Sequence, residues 1–190
     1  MAIPKGTRTP RLEKLEAKLK AADPAMKGWP QPTKSDILLI GGLVVIYAYI
    51  DLNLRRLVEA FERGSVLPTQ WCGNEGKLDA EKLAKAVWET PVWKGTDDVS
   101  ALKRLEEMRK LRNLVAHFAV RRFPNDDAFV FVTKNRREYK RVMGHEGEPR
   151  QAMTAIVECD GVRKALKEIE KIHNWLAEVT PQFEKMFAPR

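Results

Sequence analysis

The feature that most constrains the fold of this chain is a long apolar run in its first third. Ile37–Ile50 spans 14 residues without a charged side chain, and Asp51 follows directly. Because a helix needs about 20 apolar residues to cross a bilayer, this run predicts a buried core helix rather than a membrane span. The helical pattern continues beyond it, so we expect one helix over Ser35–Arg63 with Gly64 as its C-cap. Its first half is apolar nearly all round, which predicts the central buried helix of the fold.

Two further segments have apolar residues at helical spacing. The first is Leu102–Val120, and the second begins at Asp160, which we expect to be its N-cap. The apolar stripe of the first contains Leu105, Met108, Leu111, Leu114, Val115 and Phe118. That of the second contains Val162, Leu166, Ile169, Leu176, Val179 and Phe183.

Between these helices the pattern becomes typical of β-structure. Phe129–Val132 is β-prone, Lys134-Asn135 forms a plausible turn, and Tyr139–Met143 and Met153–Val157 are expected as a second and a third strand. The sequence therefore predicts a mainly α fold. It is an up-and-down helical bundle with a small antiparallel hairpin or sheet, at about residues 127–158, inserted before the last long helix.

The N-terminal part of the chain has a different composition. Thr9-Pro10 is typical of a helix start, and Leu12, Leu15 and Leu19 form a narrow apolar stripe after it. Prolines then follow closely. We expect residues 1–33 to form a helical arm and a Pro-rich linker, packed on the bundle or on a partner subunit, and residues 34–190 to form the helical domain.

The charge is concentrated in one part of the chain. The formal net charge is +8, and residues 101–150 carry 13 Lys and Arg against 7 Asp and Glu. Such a surface favours a polyanion such as RNA, although a solubility surface has the same composition. The two cysteines, Cys72 and Cys159, give no disulfide framework and no zinc spacing, and the basic N-terminus has no signal-peptide core. We expect a cytoplasmic protein with no membrane contact, no metal and no cofactor.

The candidate site lies on the helix over Leu102–Val120. Asn113 and His117 are four residues apart and share a face, and Arg109 precedes Asn113 by four. Arg112 lies five residues before His117, so the two are about 140° apart around the helix. A second copy of the helix could close this loose arrangement, as self-complementary two-fold dimers do. A solvated polar face with one surface histidine is the alternative interpretation.

The residues Arg112, Asn113 and His117 resemble the motif of the HEPN superfamily. Its ribonuclease members carry Arg, a polar residue and, a few residues later, His on a late helix of an all-α bundle. The resemblance covers about twenty residues closely, and the helical plan fits most of the chain. It implies an RNA-cleaving homodimer that needs no metal, with the motifs of both subunits at the interface. It also implies a context of toxins, antiphage defence or RNA processing, with an antitoxin or regulatory partner.

The chemistry of RNA suggests how these residues would act. The 2′-hydroxyl can attack its own phosphate if a base takes its proton and the leaving 5′-oxygen is protonated. An imidazole such as that of His117 exchanges protons near neutral pH, and Arg112 would stabilise the negative charge of the transition state. Asn113 would orient His117 or contact phosphate. We expect 2′,3′-cyclic phosphate and 5′-hydroxyl ends.

The predicted hairpin supplies the candidate RNA-backbone contacts. These are Lys134, Arg136, Arg137, Lys140 and Arg141, with Arg109 on the motif helix and Arg121 and Arg122 at the base of the hairpin. The alternative is a strand edge that Lys and Arg protect from aggregation. For the whole chain, the alternative to a nuclease is a non-catalytic helical module that binds nucleic acid or a partner protein.

Overall fold

The structure is a computed structural model that describes residues 9–22, 26–73, 77–93, 102, 104–144, 146 and 152–189. Over these residues the chain is mainly helical, with a small three-stranded antiparallel sheet before the last long helix. This confirms the predicted fold class at that level. Residues 1–8 and 23–25 of the predicted arm, 103 of the motif helix, and 145 and 147–151 of the β insertion lie outside the described residues.

The helices and strands follow one another along the chain, with short 3-10 turns at Thr69–Trp71 and Pro91–Trp93. In order they are α1 (Pro10–Ala21), α2 (Lys34–Arg63), α3 (Ala80–Trp88), α4 (Leu105–His117), β1 (Ala119–Arg122), β2 (Ala128–Thr133), α5 (Arg136–Met143), β3 (Met153–Glu158) and α6 (Cys159–Met186).

The chain divides into two compact units. The first contains residues 1–44 and 107–166, and the second contains residues 45–106 and 167–190. The sheet, α1 and α5 belong to the first unit, and α3 belongs to the second.

The first unit is built on the sheet. β2 is its central strand and pairs antiparallel with β1 on one side and with β3 on the other. Val130 and its cross-strand partner Ile156 point to the same face, since residues paired directly across a ladder share a face. Leu12 and Leu15 of α1 belong to the same buried cluster as these two residues. The N-terminal helix therefore packs on the sheet, and its predicted N-cap is confirmed because Thr9 Oγ1 accepts a hydrogen bond from Leu12 N at 3.1 Å.

The second unit has an aromatic core. The Phe61 ring lies 5.0 Å from the Phe183 ring and 6.4 Å from the Trp93 ring, between centroids. An ion pair joins the same two helices, in which Nε and Nη2 of Arg56 donate to the Glu184 carboxylate at 2.9 and 2.5 Å. These contacts fasten the end of α2 to α6.

The bounds of α2 confirm the predicted long helix, but its burial does not match the prediction. Only 28% of its most apolar 18-residue window is buried. By length and composition alone α2 could also cross a membrane, a test that core helices of soluble proteins pass as well. The prediction of a central buried helix is therefore wrong. Apolar composition shows that a helix can be buried, but not how many neighbours cover it.

The end of the motif helix also differs from the prediction. α4 stops at His117, and Ala119–Arg122, expected to continue towards Val120 as helix, forms β1 instead. Val120 pairs with Phe131 in the ladder, where a β-branched residue is favoured. The tertiary ladder overrides the local helical pattern, and the sheet starts earlier than residue 127.

The segment Tyr139–Met143 is helical, so the predicted second strand is wrong. The Asn135 side chain caps α5 by accepting from the backbone N–H groups of Arg137 and Glu138, and Gly144 ends the helix with a left-handed φ of 78°. These are the usual helix start and stop signals. The predicted strands around Phe129–Val132 and Met153–Val157 are confirmed as β2 and β3.

Two predicted helix caps need smaller corrections. α6 begins at Cys159, so Asp160 lies in its first turn rather than at the N-cap. Gly64 directly follows the last residue of α2 as predicted, but the residue with positive φ is the next one, Ser65, at 53°. Gly64 has a packing role instead, because a Cβ there would lie 2.4 Å from the Phe187 ring.

Candidate active site and nucleic-acid interface

The three motif residues lie in the second half of α4 but differ in exposure. Asn113 is buried, Arg112 is half-buried, and His117 is exposed as the last residue of the helix. The apolar stripe predicted for this helix is largely confirmed, since Leu105, Leu111, Leu114 and Phe118 are buried. Asn113 and His117 do not share an exposed face, because Asn113 is turned into the core.

Arg112 and Asn113 form a pair. Arg112 Nη1 donates a hydrogen bond to Asn113 Oδ1 at 3.0 Å. Arg112 Nε is buried and has no hydrogen-bond partner within the part of the chain that the structure describes. Asn113 is therefore placed to orient Arg112 rather than His117. A buried N–H group without a partner is energetically unfavourable.

Helix geometry keeps Arg112 and His117 of one copy apart. Five residues along a helix correspond to about 140° of rotation and about 7.5 Å of rise. A single α4 therefore presents a half-buried guanidinium and an exposed imidazole on different sides of the helix. A phosphodiester that lies against one side of a single α4 therefore faces only one of these two groups.

The basic surface of the first unit lies on α5. Tyr139, Val142 and Met143 are buried, at spacings of three and four residues. The cations of the helix, Arg136, Arg137, Lys140 and Arg141, are exposed on the other side, and Lys134 is exposed just before the helix. An open depression on this side is lined by Asn135, Arg137, Glu138, Lys140 and Arg141. We call the five cations the α5 basic face.

Two acidic residues accompany this face. Glu146 pairs with Lys140 at 2.8 Å and with Arg136 at 3.4 Å, and these cations lower the pKa of its carboxyl, the Lys140 hydrogen bond most strongly. Arg141 lies 3.8 Å from Glu138. No described carboxylate forms an ion pair with Lys134 or Arg137. The face keeps a positive excess, and exposed pairs of this kind are readily exchanged for other anions.

A ring contact joins the end of the motif helix to the buried side of α5. Phe118, the residue after His117, is buried, and its ring lies 6.5 Å from the Tyr139 ring with 30° between the planes. Burial raises the pKa of the Tyr139 phenol, which therefore stays protonated. The buried side of α5 is thereby anchored beside the C-terminal end of α4, where His117 is exposed.

The other cations predicted to contact RNA have different surroundings. Arg122 donates to Asp127 and to the sulfur of Cys159, lies 3.5 Å from Asp36, and covers the Phe129 ring at 5.4 Å. It ties β1 to its neighbours and is not directed to solvent. No signal in the sequence marks this network, because its members are far apart along the chain.

Two more predicted RNA contacts remain on the first unit. Arg121 donates to the side chain of Gln31, in the segment that follows α1. Arg109 is half-buried on α4. Neither belongs to the α5 basic face, so the structure gathers only five of the eight predicted RNA contacts on one surface.

Comparison of this chain with protein-family models, curated proteins and solved structures finds no match.

Proposed function

We propose that this protein is an endoribonuclease that uses Arg112 and His117 without a metal and acts as a homodimer. The observation that carries the proposal is the Phe118–Tyr139 contact, because it joins the end of the motif helix to α5, whose opposite side carries the α5 basic face. We propose that an RNA backbone bound on that face also reaches His117.

Electrostatics supports RNA as the substrate. Phosphate contacts by Lys and Arg release condensed counterions, so a cluster of exposed cations on one short helix binds a polyanion independently of sequence. On α5 the buried residues Tyr139, Val142 and Met143 leave the cations of the helix exposed to solvent. A single-stranded backbone fits an open depression better than a closed pocket would.

The proposed reaction uses one imidazole as base and one as acid. The base takes the proton of the 2′-hydroxyl, the 2′-oxygen forms a bond to phosphorus, and the bond from phosphorus to the 5′-oxygen breaks as the acid protonates that oxygen. The products are a 2′,3′-cyclic phosphate and a 5′-hydroxyl. Arg112, oriented by Asn113, stabilises the charge that develops on the phosphate oxygens.

The separation of Arg112 and His117 on one helix supports the dimer. Because the two groups lie about 140° apart, a phosphodiester reaches an arginine from one copy and a histidine from the other most directly. A two-fold dimer also supplies two histidines, so acid and base come from different subunits.

The test is cleavage of a fluorescent RNA in EDTA by wild-type protein, His117→Ala and Arg112→Ala, with analysis of the fragment ends. We expect cyclic-phosphate ends with wild type and a loss of about 100-fold or more in each variant, with retained RNA affinity. A His117→Ala protein that cleaves as fast as wild type would show that the assignment is wrong.

A second experiment tests the binding surface separately. Arg137→Ala/Arg141→Ala should weaken RNA binding and reduce the salt dependence by up to about 1.4 in logarithmic slope, for two lost single-strand contacts. Lys82→Ala/Lys85→Ala on α3 removes the same charge from the other unit and is the matched control. Equal losses in both variants would show that net charge, and not the α5 basic face, binds RNA.

The second candidate function is a non-catalytic RNA-binding module. It is favoured by the half-burial of Arg112 and its bond to Asn113, which limit the reach of the guanidinium. RNA that is bound by wild type but left intact, with binding lost in the α5 variant only, would establish this function instead.

A further inference from the structure

One carboxylate oxygen in the first turn of α5 is buried without a hydrogen-bond partner. Glu138 Oε2 accepts no hydrogen bond from any residue that the structure describes. Arg141 Nη1 lies 3.8 Å from it, a distance that suits an ion pair but is too long for a hydrogen bond. Buried polar atoms in folded proteins are nearly always hydrogen-bonded, so an oxygen of this kind needs a reason.

The usual structural role of a glutamate at this position does not account for it. Asn135 is the N-cap of α5, and Glu138 stands three residues later, where a glutamate commonly accepts from the backbone N–H of the N-cap residue. In this protein the N–H of Asn135 donates to Thr133 Oγ1 instead, at 3.0 Å. The Glu138 carboxylate therefore does not cap the helix.

Glu138 lines the open depression beside the α5 basic face. The depression has a volume of about 600 Å³, which is within the size range of ligand sites. The Glu138 side chain is 23% exposed, and the terminal torsion of a glutamate is broad, so either oxygen can turn towards the depression. The other charged residues of its wall are Arg137, Lys140 and Arg141. One anionic hydrogen-bond acceptor thus stands among three cations.

This arrangement of charges fits a neutral hydrogen-bond donor that is attached to an anion. A cationic donor, such as a side chain of a basic peptide, would meet three like charges in the depression. A nucleotide satisfies both conditions, because its base donates N–H groups and its phosphate is an anion. Among the RNA bases, guanine presents two adjacent donors, N1–H and the 2-amino group, on the edge that is free in a single strand. A carboxylate accepts two parallel N–H groups, as it does from arginine.

We propose that the depression binds a guanine of single-stranded RNA, with the Glu138 carboxylate accepting from N1–H and from the 2-amino group. Arg137 and Arg141 are one helical turn apart and are placed to stack on the base, since guanidinium planes stack on nucleobases. Lys140 binds the adjoining phosphate. This inference rests on the proposed function, because it assigns a base preference to the RNA surface of the nuclease.

A free guanine nucleotide carries the same chemistry, but the rest of the α5 basic face favours RNA. Lys134 and Arg136 are exposed cations of that face and do not line the depression. They have phosphates to bind only when the guanosine belongs to a strand, and each phosphate contact adds affinity. A strand should therefore bind much more tightly than guanosine monophosphate.

The experiment measures the affinity of the full chain for RNA hexamers with 2′-O-methyl groups, which block attack by the 2′-oxygen. All positions are adenine except one, which is guanine, inosine or adenine. For wild type we expect the guanine hexamer to bind about tenfold more tightly than the adenine hexamer. Inosine lacks only the 2-amino group of guanosine, so the inosine hexamer should fall between the two. Equal affinities for the three hexamers would overturn the proposal without any variant.

Glu138→Gln tests the residue itself, and Glu146→Gln is the matched control. Glu146 also pairs with cations of the α5 basic face, Lys140 and Arg136, but it does not line the depression. Each variant removes one negative charge, so both should bind the adenine hexamer more tightly than wild type does. Only Glu138→Gln should lower the preference for guanine, to about threefold or less, because an amide oxygen accepts from one donor while its NH₂ group repels the other. A preference that survives in Glu138→Gln, or that falls equally in both variants, would show that Glu138 does not read the base.

Three outcomes separate this inference from the nuclease proposal and from a free nucleotide. A guanine preference in a protein that leaves unmodified RNA intact would support this inference and contradict the nuclease proposal. Cleavage of RNA by a protein that binds the three hexamers equally would do the reverse. Guanosine monophosphate that competes as effectively as the guanine hexamer would overturn RNA as the source of the guanine.

Discussion

The ring of Phe118 lies 6.5 Å from the ring of Tyr139, with 30° between their planes. Phe118 directly follows His117, and Tyr139 belongs to the buried side of α5. The contact therefore couples two features that the sequence separates by about twenty residues, an exposed histidine and a set of exposed cations. Its removal should disturb their relative position without removing either of them.

The first prediction concerns this contact. Phe118→Leu keeps an apolar side chain at the buried position but loses the ring-to-ring contact. If the nuclease proposal is correct, we expect the rate of RNA cleavage to fall about tenfold or more, because small displacements of reacting groups lower the rate strongly. RNA affinity should stay within about threefold of wild type, because the α5 basic face is intact.

Single-turnover cleavage and equilibrium binding on the same RNA measure the two effects. Val142→Ala truncates a different buried residue of α5 and controls for general loosening of that helix. If Phe118→Leu and Val142→Ala lower cleavage equally, the ring contact has no special role.

Much of the fold could be predicted from local sequence signals. Thr9 caps α1 as expected, α2 runs to Arg63, and the β-prone residues around Val130 form the central strand. Each of these follows from side-chain period or capping chemistry within a few residues. Sequence reasoning works well there because the local preference and the tertiary environment agree.

The remaining features depend on contacts that are distant in sequence. Asn135 and Gly144 cap a helix, but the residues between them were predicted to contain the second strand of a hairpin. Val120 became a strand residue because a ladder partner was available. The surroundings of α2 could not be predicted, since hydrophobicity does not show which face a neighbour covers.

The candidate site shows the same limit. The residue types at Arg112 and His117 predicted the kind of chemistry, but not that Asn113 would be buried against the arginine. Arg122 was predicted to contact RNA because the sequence around it is basic. Its carboxylate partners come from the start of α2 and from the turn before β2, and no local pattern predicts such a network.

The second prediction concerns stability in acid. Asp127 accepts hydrogen bonds from Arg122 at 3.1 Å and from Arg163 at 3.0 Å. Burial raises the pKa of the Asp127 carboxyl, but hydrogen bonds from Arg163, Cys159 and Arg122 outweigh it and the pKa is lowered. A lowered pKa in the folded state contributes stability above the unfolded pKa of about 3.9, and this is lost as the pH falls through the folded pKa.

Asp127→Asn should therefore destabilise the protein by about 1 kcal/mol near neutral pH, a modest value because the carboxyl is partly exposed. The difference from wild type should begin to shrink as the pH falls below about 4, where the unfolded carboxyl is protonated, and should vanish below the lowered pKa of the folded carboxyl. Urea unfolding at several pH values measures the difference. Glu170→Gln, an exposed carboxylate on α6, is the control. A difference that is as large in acid as at neutral pH would contradict the assignment.

The third prediction concerns the cysteines. Cys159 is buried, and burial is the main factor that raises the pKa of its thiol to about 12. The thiolate is the reactive form, so Cys159 should be inert near neutral pH.

Cys72 is half-buried, and its thiol lies near the carbonyl oxygens of Leu67 and Pro68. We expect one thiol to react with a disulfide reagent in the native protein and both to react in denaturant. Cys72→Ser should abolish the native reaction, whereas rapid labelling of Cys159 in that variant would show that the buried network opens readily.

The last prediction concerns the glycine after α2. A Cβ at Gly64 would lie 2.4 Å from one carbon of the Phe187 ring, so Gly64→Ala forces the ring or the helix end to move. Overpacking of this kind typically destabilises a protein by about 1–3 kcal/mol. Gly161 in the first turn of α6 is the matched control, because a Cβ there meets no atom within 4 Å. Gly161→Ala should stabilise the protein by up to about 1 kcal/mol, since alanine restricts the unfolded chain and favours helix. Opposite shifts of the urea midpoint in the two variants would support the close packing of Phe187 on Gly64, and Gly64→Ala/Phe187→Ala should lose less stability than the sum of the two single changes because the clash is removed. Additive losses in that cycle would show that the two residues do not touch.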